Sequence, residues 1–209
     1  GDTYIYIAIR RPHKPPEAGT DVFKPELLTS ASQTFNPGFA PDMNWHMFNR
    51  SSSSGFAITG TRLTDISSGS TGGGIEYFFK RAPGFMDIVA YDGSASAQNI
   101  NHNLGVAPEL IITKRRDTTS SIGWIVSSYY YFNSTRWDRN GRFNQDVGLI
   151  GGGVYEPASS HSATQYPVNT TSDVNASGGT YVALLFASLD GISKVGSYTG
   201  TGSNIDVDC

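Results

Sequence analysis

Apolar residues recur along the chain in short runs that turn residues interrupt, a pattern typical of β-strands. The longest run, residues 180–187, is apolar at both alternating positions, which predicts a strand buried on both faces. Shorter runs predict strands over residues 109–114 and 123–127, each bounded by Pro, Gly, Ser or Asp. Residues 136–147 have the length of a helix, but they show no apolar face. The pattern therefore predicts an all-β chain with little or no helix.

Composition agrees with a folded β-rich protein and excludes several classes of function. Of the 209 residues only 16% are charged and 12% are aromatic, the reverse of a disordered chain. The net charge is −3 with no basic block, which argues against binding to nucleic acid. No apolar run approaches the roughly 18 residues of a membrane span, so we expect no membrane insertion. Cys209 is the only cysteine, which leaves no internal disulfide.

Two blocks of sequence recur along the chain. Residues 82–93 align without gaps on residues 189–200, an offset of 107, and residues 38–43 align on residues 105–110, an offset of 67. Residues 1–8 resemble residues 178–185, and residues 74–83 are a weaker copy. The identical positions of the first block are Gly84 with Gly191, Tyr91 with Tyr198, and Gly93 with Gly200. Repeated glycines and apolar residues indicate turns and core faces rather than a binding site.

The unequal offsets argue against a β-propeller, whose blades have similar lengths, and favour tandem β-sandwiches. We predict two tandem antiparallel β-sandwich-like repeat domains. Residues 1–83 form the first and shorter repeat, together with the closing strand of a preceding one. Residues 84–209 form the second repeat, together with the opening hairpin of a following one.

Incomplete repeats have consequences for assembly. The strand predicted at residues 3–10 closes a repeat, and the hairpin at residues 192–208 opens one. Each piece alone leaves unpaired backbone edges, which proteins seldom expose. We therefore interpret the chain as part of a longer polypeptide, and we expect a homo-oligomer, a trimer.

The repeated strings resemble a known group of proteins. Residues 84–93, 100–116, 174–183 and 191–200 are similar to repeats in virion structural proteins of tailed phages, notably marine ones, which are described as tail-fibre-like. The resemblance covers about two-thirds of the chain. It implies a location in the virion, contacts with other virion proteins and attachment to the host surface. The string Ile205-Asp-Val-Asp-Cys209 departs from the Ile-Asp-Cys-Gly that the family commonly shows.

Residues suited to catalysis are sparse and scattered. His13, His46, His102 and His161 form no metal-binding spacing, and no nucleophile elbow or phosphate loop is present. Glycosidases need two carboxylates across a cleft, whereas the acidic residues here are isolated in sequence. We therefore expect no catalytic residue, no metal and no cofactor.

The best candidate for recognition is the stretch after Trp124. It concentrates aromatic rings and guanidinium groups, which suit sugars because rings stack on CH faces while Arg bonds hydroxyls. The residues predicted to contact a receptor or a neighbouring subunit are Tyr129, Tyr130, Tyr131, Arg136, Trp137 and Arg139. The alternative is structural: the tyrosines pack in the core or an interface, and Trp137 anchors the long loop.

Three function classes follow from these observations. The first is a non-catalytic virion module, a tail-fibre or adhesin segment that contacts a host cell-surface glycan. The second is a carbohydrate-binding module of a secreted or virion-borne polysaccharide-degrading enzyme. The third is a fibre-borne depolymerase, which two close buried carboxylates would favour. Repeats without a catalytic constellation favour the first class.

Overall fold

The computed structural model describes residues 14–29, 33–48, 55–59, 74–117, 123–130, 137–142 and 150–207. Antiparallel β-structure dominates these residues, which confirms the all-β prediction. Helical structure in them is limited to one turn of α-helix, α1 at Ser172–Asn175, and two 3-10 turns, Gly19–Asp21 and Ala158–Ser160.

The strands fall into three sheets. The first sheet has the order β1-β4-β2-β3 and contains β1 (Phe23–Leu28), β2 (Met43–Phe48), β3 (Gly55–Thr59) and β4 (Gly74–Phe79). The second has the order β10-β9-β8-β7-β12-β5 and contains β5 (Met86–Asp92), β7 (Leu110–Arg115), β8 (Ile125–Ser128), β9 (Arg139–Arg142), β10 (Ile150–Gly151) and β12 (Thr180–Phe186). The third pairs β6 (Gln98–Asn101) with β11 (Gln165–Val168).

Strand β12 is the long strand that the hydrophobic pattern predicts at residues 180–187. It lies between β5 and β7 and is antiparallel to both. Its side chains alternate between two cores: Leu184 packs into one and Leu185 into the other. Because both faces of β12 are buried, its sequence does not alternate between apolar and polar residues.

Four strands of the second sheet reproduce the first sheet. The order β1-β4-β2-β3 corresponds to β5-β12-β7-β8, with the same antiparallel directions. Phe79 faces Phe23 and Met43 on its two neighbouring strands, just as Phe186 faces Met86 and Leu110. Phe79 and Phe186 are related by the offset of the first sequence repeat, and Met43 and Leu110 by the offset of the second. Strand order therefore agrees between the two sheets over these four strands, and the register of β4 with β2 matches that of β12 with β7.

The turns at the repeated glycines agree as well. A bridge joins Ala82 to Met86, and another joins Leu189 to Ser193 at the corresponding positions of the repeated block. Each turn contains a glycine of positive φ, 77° at Gly84 and 69° at Gly191. Side chains are strained in this left-handed conformation, so the repeated glycine is a requirement of the turn.

The first and second sheets pack face to face on a shared hydrophobic core. Val22, Met43 and Phe79 contribute from the first sheet and its entry turn. Leu184 and Phe186 contribute from β12, and the Phe79 and Phe186 rings meet edge to face at 6.2 Å. Residues on both sides of the expected domain boundary at 83/84 thus pack together in one sandwich-like arrangement.

The opposite face of the second sheet is covered by a second core. It receives Ile111 and Leu185 from the sheet and Tyr155, Tyr166 and Val174 from the segments around β11 and α1. Tyr155 donates a hydrogen bond of 2.7 Å to the Thr113 hydroxyl of β7, which satisfies both buried groups. β12 and β7 thus have apolar partners on both faces.

Leu185→Ala should lower the free energy of unfolding by about 2–5 kcal/mol, because the fully buried side chain leaves a cavity in a strand held on both edges. Val182→Ala on the same strand is the matched control, since its side chain is only half-buried. Urea denaturation followed by fluorescence measures both. Equal losses for the two variants would contradict the placement of β12.

Candidate recognition surface

Tyr129, Tyr130 and Arg139 come together at one end of the second sheet, which we call the tyrosine edge. Tyr129 and Tyr130 directly follow β8, and Arg139 begins β9. Because β8 and β9 are antiparallel, the end of one strand lies beside the start of the other. The Ser127 hydroxyl donates a hydrogen bond to the Arg139 carbonyl, which joins the two strands at this end.

Glu109 holds the tyrosine edge to the sheet. Its Oε1 accepts a hydrogen bond of 3.1 Å from the Tyr130 hydroxyl, and its carbonyl accepts one of 2.8 Å from the Tyr129 N–H. Its Oε2 accepts a hydrogen bond of 2.6 Å from the Ser188 N–H, just after β12. One carboxylate therefore ties the end of β12 to the residues that follow β8.

Asp42 plays the corresponding part in the first sheet. Its Oδ2 accepts a hydrogen bond of 2.8 Å from the Arg81 N–H, and Arg81 is the counterpart of Ser188 at the first repeat offset. Asp42 and Glu109 occupy the same position of the repeated block at residues 38–43 and 105–110. The acidic residue of this block is therefore an acceptor for a backbone N–H that leaves the long strand. The repeat in the sequence is the signal that could have identified Glu109.

Tyr130 presents more of its side chain to solvent than Tyr129 does. The two rings meet edge to face with centroids 5.2 Å apart. Tyr129 packs against the second core, whereas Tyr130 is 38% exposed. Arg139 is also exposed, with its Nε 4.0 Å from an Asp138 carboxylate oxygen. The Tyr130 ring and the Arg139 cation are thus both exposed, but the guanidinium lies beside Gly151 of β10 while Tyr130 is held by Glu109.

Trp137 does not belong to this surface. Its side chain is fully buried, with 0% exposure, and stacks on the His161 ring at 4.2 Å with an interplanar angle of 5°. Its φ of 68° lies in the left-handed region, which is rare for a bulky residue and turns the side chain into the core. The expectation that Trp137 contacts a receptor is corrected, because the indole has no exposed face. The alternative, an anchor for the long loop, stays a prediction, since most of that loop lies outside the described residues.

Two of the predicted contact residues, Tyr131 and Arg136, lie outside the described residues. The contact role of Tyr129, Tyr130 and Arg139 stays a prediction.

His161 is held neutral beneath the surface. Burial lowers the pKa of its imidazole to about 4, against a smaller opposing effect of its hydrogen bond to the Tyr155 carbonyl. That bond is 2.7 Å long and runs from Nε2. His102, in the same region, also has a lowered pKa because of burial, which the nearby Asp87 carboxylate partly opposes. Protonation of either ring would place a charge in a core of tyrosines and tryptophan.

Among the described residues, the buried carboxylates are Glu76 and Asp87, and they serve different sheets. Glu76 of β4 accepts a hydrogen bond of 3.0 Å from the Asn44 amide of β2. Asp87 of β5 accepts one of 2.7 Å from the Asn103 N–H. Both carboxylates are therefore acceptors that join neighbouring segments.

A cleft of about 630 Å³ opens beside the first sheet, between the turn at residues 17–22 and residues 38–42. Sequence reasoning did not anticipate it. Arg81 lies 3.1 Å from Asp42, Lys14 pairs with Glu17, and Asp21 accepts two backbone N–H bonds. Three cations and three carboxylates line the cleft: Lys14, Lys80, Arg81, Glu17, Asp21 and Asp42. Its walls are thus balanced in charge.

Neither a metal-binding cluster nor a membrane-spanning helix occurs in the described part of the chain. No three His, Cys, Asp or Glu side chains in it come together as a group that could hold a metal ion. No helix in these same residues has the length and apolar character needed to cross a membrane.

Comparison with known proteins identifies the family. The chain belongs to the family described as Domain of unknown function (DUF7483), which matches residues 67–207. This span runs from before β4 through β12 to the exposed segment that follows it. No curated protein and no solved structure matches the chain.

His161→Gln should weaken the dependence of stability on pH. The folded-state pKa of about 4 lies below the ordinary 6.5, so the unfolded chain takes up the proton first as the pH falls. The wild-type free energy of unfolding should therefore fall between pH 6.5 and pH 4, by about 3 kcal/mol from this residue. Urea titrations at several pH values measure the difference between the two proteins. A difference that does not change with pH would contradict the buried neutral ring.

Trp137→Ala and Tyr130→Ala should differ in how much they lower the free energy of unfolding, because one side chain lies in the core and the other at the surface. Trp137→Ala should lower the free energy of unfolding by about 3–5 kcal/mol, because the side chain is fully buried. Tyr130→Ala should cost about 1 kcal/mol, the value of its hydrogen bond to Glu109. Thermal denaturation compares them, and a stable Trp137→Ala variant would restore that residue to the candidate surface.

Proposed function

We propose that this chain is a non-catalytic structural segment of a phage virion, part of a tail fibre or adhesin that attaches the particle to its host. The observation that carries the structural role is the shared strand order of the first and second sheets, with the same register of β4 on β2 as of β12 on β7. An arrangement of strands that recurs along one chain is typical of an extended array, in which each repeat contacts its neighbours. The placement in a virion rests on the resemblance of the repeated strings to phage virion proteins.

The non-catalytic role is supported by how the carboxylates are used. Glu76, Asp87, Asp42 and Glu109 each accept hydrogen bonds that join segments of the fold. A glycosidase instead needs a carboxylic acid and a second carboxylate that face the same bond of the substrate. Glu76 and Asp87 lie in different sheets, which does not favour such a pair.

The tyrosine edge is the surface that we propose for contact with a host glycan. The Tyr130 ring is exposed, and its orientation is held through the hydroxyl by Glu109. Arg139 is exposed at the start of β9, where its guanidinium lies beside Gly151 of β10 and offers donors for sugar hydroxyls or carboxylates. The same surface would serve the second candidate, a carbohydrate-binding module of a polysaccharide-degrading enzyme.

Antibodies raised against the chain should label intact particles of the phage that encodes it, and the purified chain should compete with those particles for host cells. Tyr130→Ala should weaken this competition several-fold, because hot-spot aromatic residues contribute most of the contact energy. Ser203→Ala, at an exposed position outside the tyrosine edge, is the matched control and should compete as the wild type does.

Three outcomes would contradict the proposal or part of it. Particles without label would exclude the virion role, and glycan binding in that case would favour the carbohydrate-binding module. Release of reducing sugar from host polysaccharide, abolished by one Asp or Glu substitution, would make the chain an enzyme. Unchanged competition by Tyr130→Ala would remove the tyrosine edge from the contact.

A further inference from the structure

Lys80 and Ala187 occupy corresponding positions of the two sheets, directly after β4 and β12. The Lys80 N–H donates a hydrogen bond of 2.8 Å to the Val22 carbonyl, just before β1. The Ala187 N–H donates one of 3.1 Å to the Phe85 carbonyl, just before β5. Lys80 and Ala187 are also related by the offset of the first sequence repeat. The backbone of the two sheets therefore agrees at this point, and only the side chains differ.

The two positions have different surroundings. Ala187 is 2% exposed and lies in the second core together with Leu185. Phe78, the counterpart of Leu185 at the same offset, lies in a smaller cluster with Phe35. Lys80 is not part of that cluster; it is half-buried and lines the cleft of about 630 Å³. Among the described residues, the first sheet thus has an open cleft where the second sheet has a core.

The cleft has the size and the walls of a binding site for a small molecule. Its volume of about 630 Å³ lies within the range of about 300–1,000 Å³ that is typical of ligand pockets. A Cβ atom placed on Gly38, in the wall, would meet no other atom within 4 Å, so the space beside that backbone is open. Proline rings and one aromatic ring supply the apolar part of the walls: Pro15, Pro16, Pro41 and Phe39.

The carboxylates of the cleft are already engaged within the fold. Glu17 pairs with Lys14, and Asp42 pairs with Arg81. Asp21 accepts hydrogen bonds of 2.9 and 3.0 Å from two backbone N–H groups of the turn before β1. The three acids thus have donors inside the protein, and they do not require a cation from a ligand.

Lys80 is the cation of the cleft that is open to a ligand. In the described part of the chain its ammonium takes part in no hydrogen bond and no ion pair. The neighbouring Arg81 has a side chain that is 41% exposed, and its guanidinium has further donors beside the one that faces Asp42. An anionic oxygen bound here would therefore receive charge-assisted hydrogen bonds, which are stronger than neutral ones.

The charges and the walls together define the chemistry of the ligand. One free ammonium matches a group with a single negative charge, and a carboxylate is such a group. A phosphate would carry more charge and favours a cluster of cations or a row of backbone N–H groups. Proline and phenylalanine rings pack against CH or ring faces rather than against a second polar group. The ligand is therefore a carboxylate with an apolar body.

We infer that this cleft is a binding site for a small organic carboxylate with an apolar or CH-rich body, whose oxygens accept hydrogen bonds from Lys80. The inference does not depend on the proposed virion function or on the tyrosine edge. Two sources share this chemistry, a uronic acid unit of a polysaccharide and a free organic acid.

NMR titration of the full chain with two pairs of probes tests the inference. D-glucuronate is compared with neutral D-glucose, and benzoate with neutral benzyl alcohol. The amide resonances of Phe39 and Lys80 should shift with at least one carboxylate and stay in place with its neutral counterpart. A lower Kd for glucuronate would assign a polysaccharide as the source, and a lower Kd for benzoate would assign a free acid.

Three variants show whether Lys80 carries the contact. Lys80→Met should raise the Kd about tenfold, because a hydrogen bond to a charged group is lost. Lys80→Arg keeps the cation and should retain binding. Lys194→Met, at an exposed lysine that does not line the cleft, is the matched control and should bind as the wild type does. Equal thermal midpoints of the variants would show that a loss of binding is not a loss of folding.

The inference would be overturned by shifts with neither carboxylate, by equal binding of a carboxylate and its neutral counterpart, or by an unchanged Kd of Lys80→Met. Loss of binding in Lys80→Arg together with unaltered folding would also contradict a role of the charge. Tighter binding of a tetraglutamate peptide than of either small acid would overturn it as well, and would indicate a protein partner.

Discussion

The pairing of β12 with β5 on one edge and β7 on the other sets the conditions for the rest of the fold. A strand that is buried on both faces needs an apolar layer above it and another below it. The first sheet supplies one layer through Phe79 and Met43, and the segments around β11 and α1 supply the other through Tyr155 and Val174. Segments far apart in sequence are thereby fixed by one strand.

The end of each long strand creates a second requirement. After β4 and β12 the backbone N–H of Arg81 or Ser188 leaves the ladder and takes a side-chain acceptor in place of a strand partner. Asp42 and Glu109 provide it at matching positions of the repeated block. The second carboxylate oxygen of Glu109 accepts a hydrogen bond from the Tyr130 hydroxyl. This hydrogen bond joins the second sheet to the tyrosine edge. The hydrogen bond to the Arg81 or Ser188 N–H explains why the repeated block has an acidic residue at this position without invoking catalysis.

Strands could be predicted from the sequence because their apolar runs were short, bounded by turn residues and repeated at fixed offsets. The offset of 107 even anticipated the register, with Phe79 and Phe186 at the same position of their sheets. The burial of individual side chains could not be predicted in the same way. Trp137 stands among arginines and aromatic residues, but a positive φ turns it inward onto His161, which belongs to a different part of the sequence. No local pattern encodes that contact, and the covering of the Trp137 indole depends on it.

The hydrogen bond to Glu109 fixes the orientation of Tyr130. Its hydroxyl donates to the Glu109 carboxylate, so this donor is already used within the fold. A ring fixed in orientation before binding loses less side-chain entropy on contact than a free one. If the tyrosine edge is the contact surface that we propose, this fixed ring would suit a ligand with an apolar CH face, such as a sugar.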